Sequence, residues 1–186
     1  MIDYFALLQQ PRRPWLDPEK LKAKYHQLTK ANHPDRPSAS PDSDFANVNE
    51  AYRVLSDPKL RLQHLLALEN VPANASAVPE TLSDVFLETG TLIQDIDRLL
   101  ARSTTNALSK ALIKSEITSK QELAMDLLQK LQTMHAAAVN ELRVMDKNWD
   151  SIDSVASRLA EISSRFAYLT RWIAQLEERQ FQLSIL

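Results

Sequence analysis

The fold is decided by residues 17–58, which read DPEKLKAKYHQLTKANHPDRPSASPDSDFANVNEAYRVLSDP. Asp17-Pro18-Glu19 combines a capping side chain, a proline suited to the first helical position and an acid in the first turn. Apolar side chains follow at helical spacing at Leu21, Tyr25 and Leu28. This pattern predicts a helix from Pro18 to Ala31.

A loop is predicted from Asn32 to Asp42, because His33-Pro34-Asp35, Pro37 and Pro41 cannot continue a helix. A third helix resumes after the loop and ends near Ser56. Its apolar residues recur at steps of three and four: Phe45, Val48, Tyr52 and Leu55. The loop is therefore expected at the tip of an antiparallel helical hairpin.

Shorter helices flank the hairpin. Asp3 can cap a first helix through Leu8, which Pro11 and Pro14 then end, and Asp57-Pro58 restarts the chain as a fourth, leucine-rich helix. The small and polar residues after that helix, with their two prolines, are the best candidate for a linker. We therefore predict an N-terminal domain at 1–70, a linker at 71–79 and a second domain at 80–186.

The second domain is predicted to be a three-helix bundle, because residues 80–186 contain no proline and carry three amphipathic stripes. Turns are expected near 101–105 and 146–150. The last stripe is the most regular and alternates steps of three and four: Ile152, Val155, Leu159, Ile162, Phe166, Leu169, Ile173 and Leu176. The predicted fold class is all-α.

Composition narrows the possible functions. The chain has no cysteine, and no apolar run approaches the roughly 20 residues that span a bilayer, so a cytoplasmic protein without a membrane partner is expected. The segment between Gln9 and Arg36 contains seven Lys/Arg and three acidic residues. Its local charge is therefore +4, in a chain whose net charge is -2. This basic segment favours an acidic protein partner; it lacks the interleaved aromatics expected for nucleic-acid binding.

An enzyme is not expected. His33 and Asp35 are two residues apart in a loop, with no fixed nucleophile beside them, so they do not form a catalytic site. The remaining histidines, His26, His64 and His135, do not have the spacing of metal ligands. No cofactor or metal is predicted.

The N-terminal pattern is that of an antiparallel helical hairpin. From Met1 to about Pro58 it resembles the J-domain of the DnaJ superfamily. The matching residues are Asp3-Tyr4, Leu21, Tyr25, Leu28, His33-Pro34-Asp35-Arg36, Asn49, Ala51-Tyr52, Leu55 and Asp57-Pro58. The resemblance implies a co-chaperone that binds a DnaK-type 70-kDa heat-shock chaperone and stimulates its ATPase. By residue match, the binding role falls on Lys22, Tyr25, His26, His33, Pro34, Asp35 and Arg36.

The residues of the loop suit that role. An exposed carboxylate at Asp35 can accept a bidentate bond from a partner arginine, while Pro34 stiffens the loop and His33 can brace it. Lysines along the second helix would steer it to an acidic surface. The alternative for these lysines is an ordinary solvated helix face.

Residues after the hairpin narrow the resemblance. The sequence from Leu60 to Leu68 resembles the Arg-Ala-x-Tyr-Leu-Leu-x-Leu stretch of the HscB family, whose members serve iron–sulfur cluster assembly and act with a DnaK- or HscA-type chaperone. The generic DnaJ layout, with its glycine/phenylalanine-rich linker and cysteine-rich zinc module, does not fit a chain with one glycine and no cysteine.

HscB proteins carry a C-terminal three-helix bundle that binds the iron–sulfur scaffold protein. By rough alignment, that scaffold-binding face corresponds to Phe86, Leu87, Gly90, Thr91, Gln94, Arg98 and Phe166. Two departures affect it: Gly90 replaces a large apolar residue, and Thr91, Gln94 and Arg98 replace acids. Because glycine weakens a helix interior, a bend or a close contact is expected at Gly90.

Three alternatives stay open on the sequence alone. Phe86 and Phe166 could simply lie on the core stripes of their helices. The J-domain could serve a client other than an iron–sulfur scaffold. In the third alternative, the chain is a helical scaffolding protein whose J-domain is a recognition module and whose Ile152–Leu176 stripe pairs with another chain.

Overall fold

The computed structural model describes residues 1–31, 42–72, 78–102, 107–149, 152 and 154–186, and within these ranges all regular structure is helical. The predicted all-α class is confirmed. The helices are α1 (Tyr4–Leu7), α2 (Pro18–Ala31), α3 (Asp42–Ser56), α4 (Pro58–Leu68), α5 (Ser83–Arg102), α6 (Ala107–Lys147) and α7 (Ala156–Ser184), with a short 3₁₀ turn at Glu80–Leu82.

Three aspartates begin helices as predicted. The Oδ1 atom of Asp3 accepts hydrogen bonds from the Phe5 and Ala6 amides, at 3.0 and 3.2 Å. Asp17 does the same at the start of α2, and Asp57 Oδ1 accepts from the backbone N–H of Leu60 at 3.0 Å at the start of α4. These contacts satisfy amides that the first helical turn leaves without partners.

The chain forms two compact units. The first contains Met1–Asn74 and Val139–Ser163, and the second contains Ala75–Ala138 and Ser164–Leu186. Both α6 and α7 therefore contribute residues to each unit. The division falls within the predicted linker, but the segment 139–163 groups with the N-terminal helices, whereas the sequence pattern had placed it with the C-terminal bundle.

In the first unit, α1, α2 and α4 all pack on α3. The Tyr25 ring of α2 stacks on Tyr52 of α3 with centroids 4.2 Å apart, and its hydroxyl donates to Asn49 Oδ1 at 2.9 Å. The buried side chains of these helices form the core: Phe5, Leu8, Leu21, Val48, Ala51, Leu55, Leu62, Leu65 and Leu66. The predicted hairpin helices thus pack through their apolar faces.

Contacts that join the segment 139–163 to the first unit come from the end of α6. Asp146 Oδ2 lies 3.4 Å from Arg13 Nη1, and the Arg143 guanidinium lies 5.4 Å from the centroid of the Trp15 ring. Arg13 and Trp15 belong to the connection between α1 and α2. An ion pair and a cation–π contact therefore hold this segment to the N-terminal helices.

In the second unit, α5 and α6 run antiparallel. Residues that come earlier in α5 pair with residues that come later in α6. The ion pairs are Arg102 with Glu116, Asp95 with Lys120, and Glu88 with Lys130. On α7, Arg179 pairs with Asp97 of α5. Apolar residues from all three helices share one core, centred on Ile96, Leu99, Leu131, Leu169 and Leu176. The predicted three-helix bundle is confirmed in this unit.

The regular apolar stripe of α7 is buried within a single chain. Leu159, Ile162, Phe166, Leu169 and Leu176 have almost no exposed surface. The helix itself begins at Ala156, after Ile152 and Val155, and continues past the stripe to Ser184. The scaffolding alternative requires this stripe to pair with a second chain. The buried residues of the stripe offer no surface for such pairing, because they already pack inside this chain.

A histidine joins α4 to α1. The backbone N–H of Tyr4 donates to His64 Nε2 at 3.1 Å, and the His64 ring stacks on Tyr4 and Phe5 with centroids at 4.6 and 5.8 Å. Burial lowers the pKa of His64 from its ordinary value of 6.5; Arg12 acts in the same direction and Asp3 in the opposite one. The folded protein therefore favours the neutral ring.

This arrangement predicts a loss of stability in acid. Because the unfolded chain has the higher His64 pKa, it takes up the proton first, and the free energy of unfolding falls as the pH drops below about 6.5. Urea unfolding at about pH 7.5 and about pH 5.5 measures this difference. His64→Tyr keeps a stacked ring that does not titrate in this range. The free energy of unfolding of this variant should therefore change less between the two pH values than that of the wild type. An equal difference in both proteins would contradict the assignment.

Candidate functional site

The predicted chaperone-binding residues divide into two groups. His33, Pro34, Asp35 and Arg36 lie outside the described residues, which end at Ala31 and resume at Asp42. The other three, Lys22, Tyr25 and His26, lie on α2. The geometry of this candidate site is therefore that of the helix leading into the loop.

One face of α2 is solvent-exposed and basic. Lys20, Lys22, His26 and Lys30 are exposed, and Lys20 and Lys22 form no ion pair within the described part of the chain. On the opposite side, Leu21 is buried against the neighbouring helices. The charges of this face are thus available to an acidic surface on another molecule.

Tyr25 has a different position from the other predicted contact residues. It is half-buried, and its ring and hydroxyl are engaged by Tyr52 and Asn49 on α3. The structure thus gives Tyr25 a packing role that fixes α2 on α3, whereas Lys22 and His26 face the solvent.

A second candidate surface lies on α5. Phe86 and Leu87 are 48% and 72% exposed, unusually high for large apolar side chains, and Gly90, Thr91 and Gln94 are exposed on the same helix. The opposite face carries the residues that enter the bundle core: Val85, Leu92, Ile96 and Leu99. The predicted client-binding residues of α5 therefore share one solvent face.

Phe166 does not belong to that face. It is completely buried, and its ring meets His135 edge-on with centroids 5.0 Å apart. This placement matches the alternative that Phe166 lies on the core stripe of α7. Phe86 is intermediate, since its ring also approaches that of Trp172 on α7, with centroids 6.0 Å apart.

Three charged residues of α5 beside this face are paired within the chain. Arg98 contacts Asp95 at 3.1 Å, and Asp95 also accepts a hydrogen bond from Lys120 Nζ at 2.8 Å, which lowers the pKa of the Asp95 carboxyl. Glu88 pairs with Lys130 at 2.7 Å. The face formed by Phe86, Leu87, Gly90, Thr91 and Gln94 itself carries no charge.

Gly90 has open space beside its backbone in the described part of the chain. A Cβ atom built on it would meet no atom within 4 Å, and its φ is not positive. The predicted close contact is therefore wrong for contacts within the chain.

The sequence pattern did not identify a groove between α5 and α6. It has a volume of about 470 Å³ and is lined by Asp84, Leu87, Glu88, Thr91, Leu92, Asp95, Lys120 and Leu123. Leu123 of α6 is 48% exposed at this groove. Its exposure depends on the spacing of two helices, for which a single sequence gives no signal.

Two further kinds of site are absent from the described ranges. No group of His, Asp and Glu side chains there could hold a metal ion. No helix in the same ranges is long and apolar enough to cross a membrane.

The N-terminal helices match a known domain family. The family model of the DnaJ domain matches residues 3–64. The DnaJ chaperone of Ureaplasma parvum is 42% identical over 62 residues, which cover 33% of this chain and 16% of that protein. Residues 3–64 therefore match the DnaJ domain, as the hairpin pattern indicated.

The similarity to one group of J-domain proteins extends along nearly the whole chain. The co-chaperone protein HscB of Proteus mirabilis is 25% identical over 191 residues, covering 97% of this chain and 98% of that protein. The HscB homolog of Azoarcus sp. is 29% identical over 147 residues, covering 75% and 76%. The chain resembles the HscB co-chaperones, and this resemblance supports a co-chaperone role.

Solved structures have the same fold. Chaperone HscB from Vibrio cholerae matches with a TM-score of 0.63 at 21% identity, covering 98% of this chain and 99% of that chain. Human co-chaperone protein HscB matches with a TM-score of 0.51 at 20% identity, covering 96% and 82%.

The different burial of Phe166 and Leu87 predicts different mutational effects. Phe166→Ala should lower the free energy of unfolding by about 3–5 kcal/mol, because it opens a cavity in the core. Leu87→Ala, on the exposed face, should change it by less than about 0.5 kcal/mol. Urea unfolding of both variants measures the difference. Equal losses would contradict the assignment of Phe166 to the core and Leu87 to the surface.

Proposed function

We propose that this protein is a co-chaperone that binds a DnaK- or HscA-type 70-kDa chaperone through α2 and the His33-Pro34-Asp35 loop. Binding stimulates the ATPase of that chaperone. The second unit delivers the client, an iron–sulfur cluster scaffold protein, in the cytoplasm. The protein itself catalyses no reaction.

The observation that carries the chaperone half is the exposed basic face of α2, within a matched J-domain. Lys22 and His26 face the solvent, and the helix leads directly into the tripeptide. The packing of Tyr25 on Tyr52 and Asn49 holds this helix in a fixed orientation on α3. A pre-ordered basic face raises the rate at which an acidic partner surface is met.

The chemistry of the loop supports a specific contact through which binding stimulates the ATPase. Asp35 has a carboxylate that can accept two hydrogen bonds from one arginine of the partner, and such bonds are directional and strong. Lysines on α2 supply longer-range attraction, whereas the loop supplies the specific contact. The lysines therefore govern the rate at which the protein meets the chaperone, and Asp35 governs the stimulation of the chaperone's ATPase.

The test is Asp35→Asn, which keeps the shape of the side chain but removes its charge. Loss of a charge-assisted pair costs about 1.5–3 kcal/mol, so stimulation of a purified DnaK- or HscA-type ATPase should fall by roughly tenfold to a hundredfold. Single-turnover hydrolysis measures the effect, and circular dichroism checks that the fold is retained. Asp44→Asn, in the first turn of α3, is the matched control. Full stimulation by the Asp35 variant would overturn the mechanism.

The client half is supported by the full-length resemblance to proteins named HscB and by the exposed face of α5. Leu87 presents a largely exposed apolar side chain, and Phe86 adds about half of its surface beside it. Burying a leucine side chain in an interface contributes about 1.5–3 kcal/mol. These two residues are therefore the proposed anchors for the scaffold protein. Phe166 is buried and is not proposed as an anchor.

The client half is tested by Leu87→Asp, which places a charge on the apolar face. The affinity for a purified iron–sulfur scaffold should fall at least about tenfold, while stimulation of the ATPase in the absence of scaffold stays unchanged. Titration calorimetry measures the first and single-turnover hydrolysis the second. If the wild-type protein stimulates the ATPase but binds no scaffold, the protein is a J-domain adaptor for another client.

A further inference from the structure

Two side chains from the end of α6 hold the segment that enters α2. Asp146 Oδ2 lies 3.4 Å from Arg13 Nη1, and the Arg143 guanidinium lies 5.4 Å from the centroid of the Trp15 ring. All four residues belong to the first unit. The residue that follows Trp15, Leu16, is buried, and α2 begins two residues after it. The end of α6 therefore fixes the chain immediately before the helix.

Asp146 acts on a second arginine as well. Its Oδ2 atom faces Arg13, whereas its Oδ1 atom is buried and accepts no hydrogen bond from the described part of the chain. The buried Arg61 donates to the carbonyl of Pro14. Burial lowers the pKa of Arg61 to about 10, and Asp57 and Asp146 act in the opposite direction. One carboxylate of α6 thus attracts both arginines that hold this segment.

The direction of α2 depends on this segment, because a helix keeps a fixed direction only when it is held at two separated points. Further along α2, the Tyr25 ring stacks on Tyr52, and the Tyr25 hydroxyl donates to Asn49. Buried Leu21 adds an apolar contact, but apolar contacts are non-directional. Lys22 lies between the entry segment and Tyr25, so the place of its charge depends on both anchors.

We propose that Arg143 and Asp146 are positioning residues for the chaperone-binding face of α2. They act through Trp15 and Arg13, and the proposal requires no contact of their own with the chaperone. It rests on the proposed function, in which α2 presents its basic face to a 70-kDa chaperone. It places two determinants of chaperone binding outside residues 3–64, which match the DnaJ domain.

A purely electrostatic role for Asp146 would have the opposite sign. Removing its carboxylate frees the charge of Arg13, and one more free cation beside the basic face would speed association with an acidic partner. Loss of positioning instead lets the N-terminal end of α2 move, which weakens binding. The direction of the change in affinity therefore distinguishes the two roles.

The experiment titrates the full chain against a purified DnaK- or HscA-type chaperone in single-turnover hydrolysis. Asp146→Asn and Trp15→Leu remove one contact each without removing a positive charge. Each should raise the concentration for half-maximal stimulation about threefold, the usual effect of an ion pair or a cation–π contact. Maximal stimulation should stay unchanged, because Asp35 is intact. Asp146→Glu and Trp15→Tyr keep the carboxylate and the ring, so they should restore the wild-type concentration.

Spin labels measure the position of α2 directly, because the chain has no cysteine of its own. Ala23→Cys and Gln63→Cys place labels at exposed positions of α2 and α4, both in the first unit. The distribution of distances between the two labels should broaden when Asp146→Asn is added. An unchanged distribution would contradict the proposed positioning.

Arg158→Gln is the matched control. Arg158 pairs with Glu141 and Glu161, which belong to the same segment, 139–163, of the first unit. The substitution therefore removes ion pairs of this segment but keeps those of Arg13 and Asp146. It should leave the concentration for half-maximal stimulation unchanged.

The outcomes separate positioning from the proposed function. If the wild type stimulates the chaperone and Asp146→Asn reaches half-maximal stimulation at the same or a lower concentration, positioning is overturned while the proposed function stands. Loss of maximal stimulation together with helix content, measured by circular dichroism, at an unchanged half-maximal concentration shows a role in folding alone and also overturns positioning. If the wild type stimulates no such chaperone, the proposed function is wrong and positioning fails with it.

Discussion

The first unit depends on one buried guanidinium. Arg61 is almost fully buried, and its Nε and Nη1 atoms donate to the Pro14 and Leu55 carbonyls at 3.0 and 2.7 Å. A single side chain of α4 thereby joins the connection before α2 to the end of α3. Burial lowers the pKa of Arg61 to about 10, and Asp57 and Asp146 partly offset that effect. The cost of burying this charge is tolerated because its hydrogen bonds fix where three segments meet.

That constraint matters for the proposed function, because α2 can present its basic face to a partner only in a defined orientation. Arg61 fixes the chain that enters α2, and the contact of Tyr25 with Tyr52 and Asn49 fixes the helix further along. The exposed lysines are thus attached to a rigid support, while their own side chains remain free to meet a partner. The apolar half of the helix provides order, and in the proposed function the basic half provides recognition.

Local features of the fold were predictable, and nonlocal ones were not. Asp3, Asp17 and Asp57 indicate where helices start. Each carboxylate accepts hydrogen bonds from backbone amides only two or three residues further along the chain, so the signal is local. The different positions of Phe86 and Phe166 could not be predicted, since both lie on apolar stripes. Which stripe is covered depends on helices elsewhere in the chain. The exposed α5 residues were predictable only through the resemblance to HscB, while the pairing of Arg13 with Asp146 has no sequence signature.

The order in which the chain visits its two units constrains how it can fold during synthesis. The chain leaves the first unit after Asn74 and returns to it at Val139. Arg13 and Asp146, which both belong to that unit, are 133 residues apart in sequence. The N-terminal hairpin can form from local contacts as it leaves the ribosome, but the Arg13–Asp146 pair must wait until the sequence of the second unit has been translated. A nascent chain therefore completes its first unit only after most of its second unit has been made.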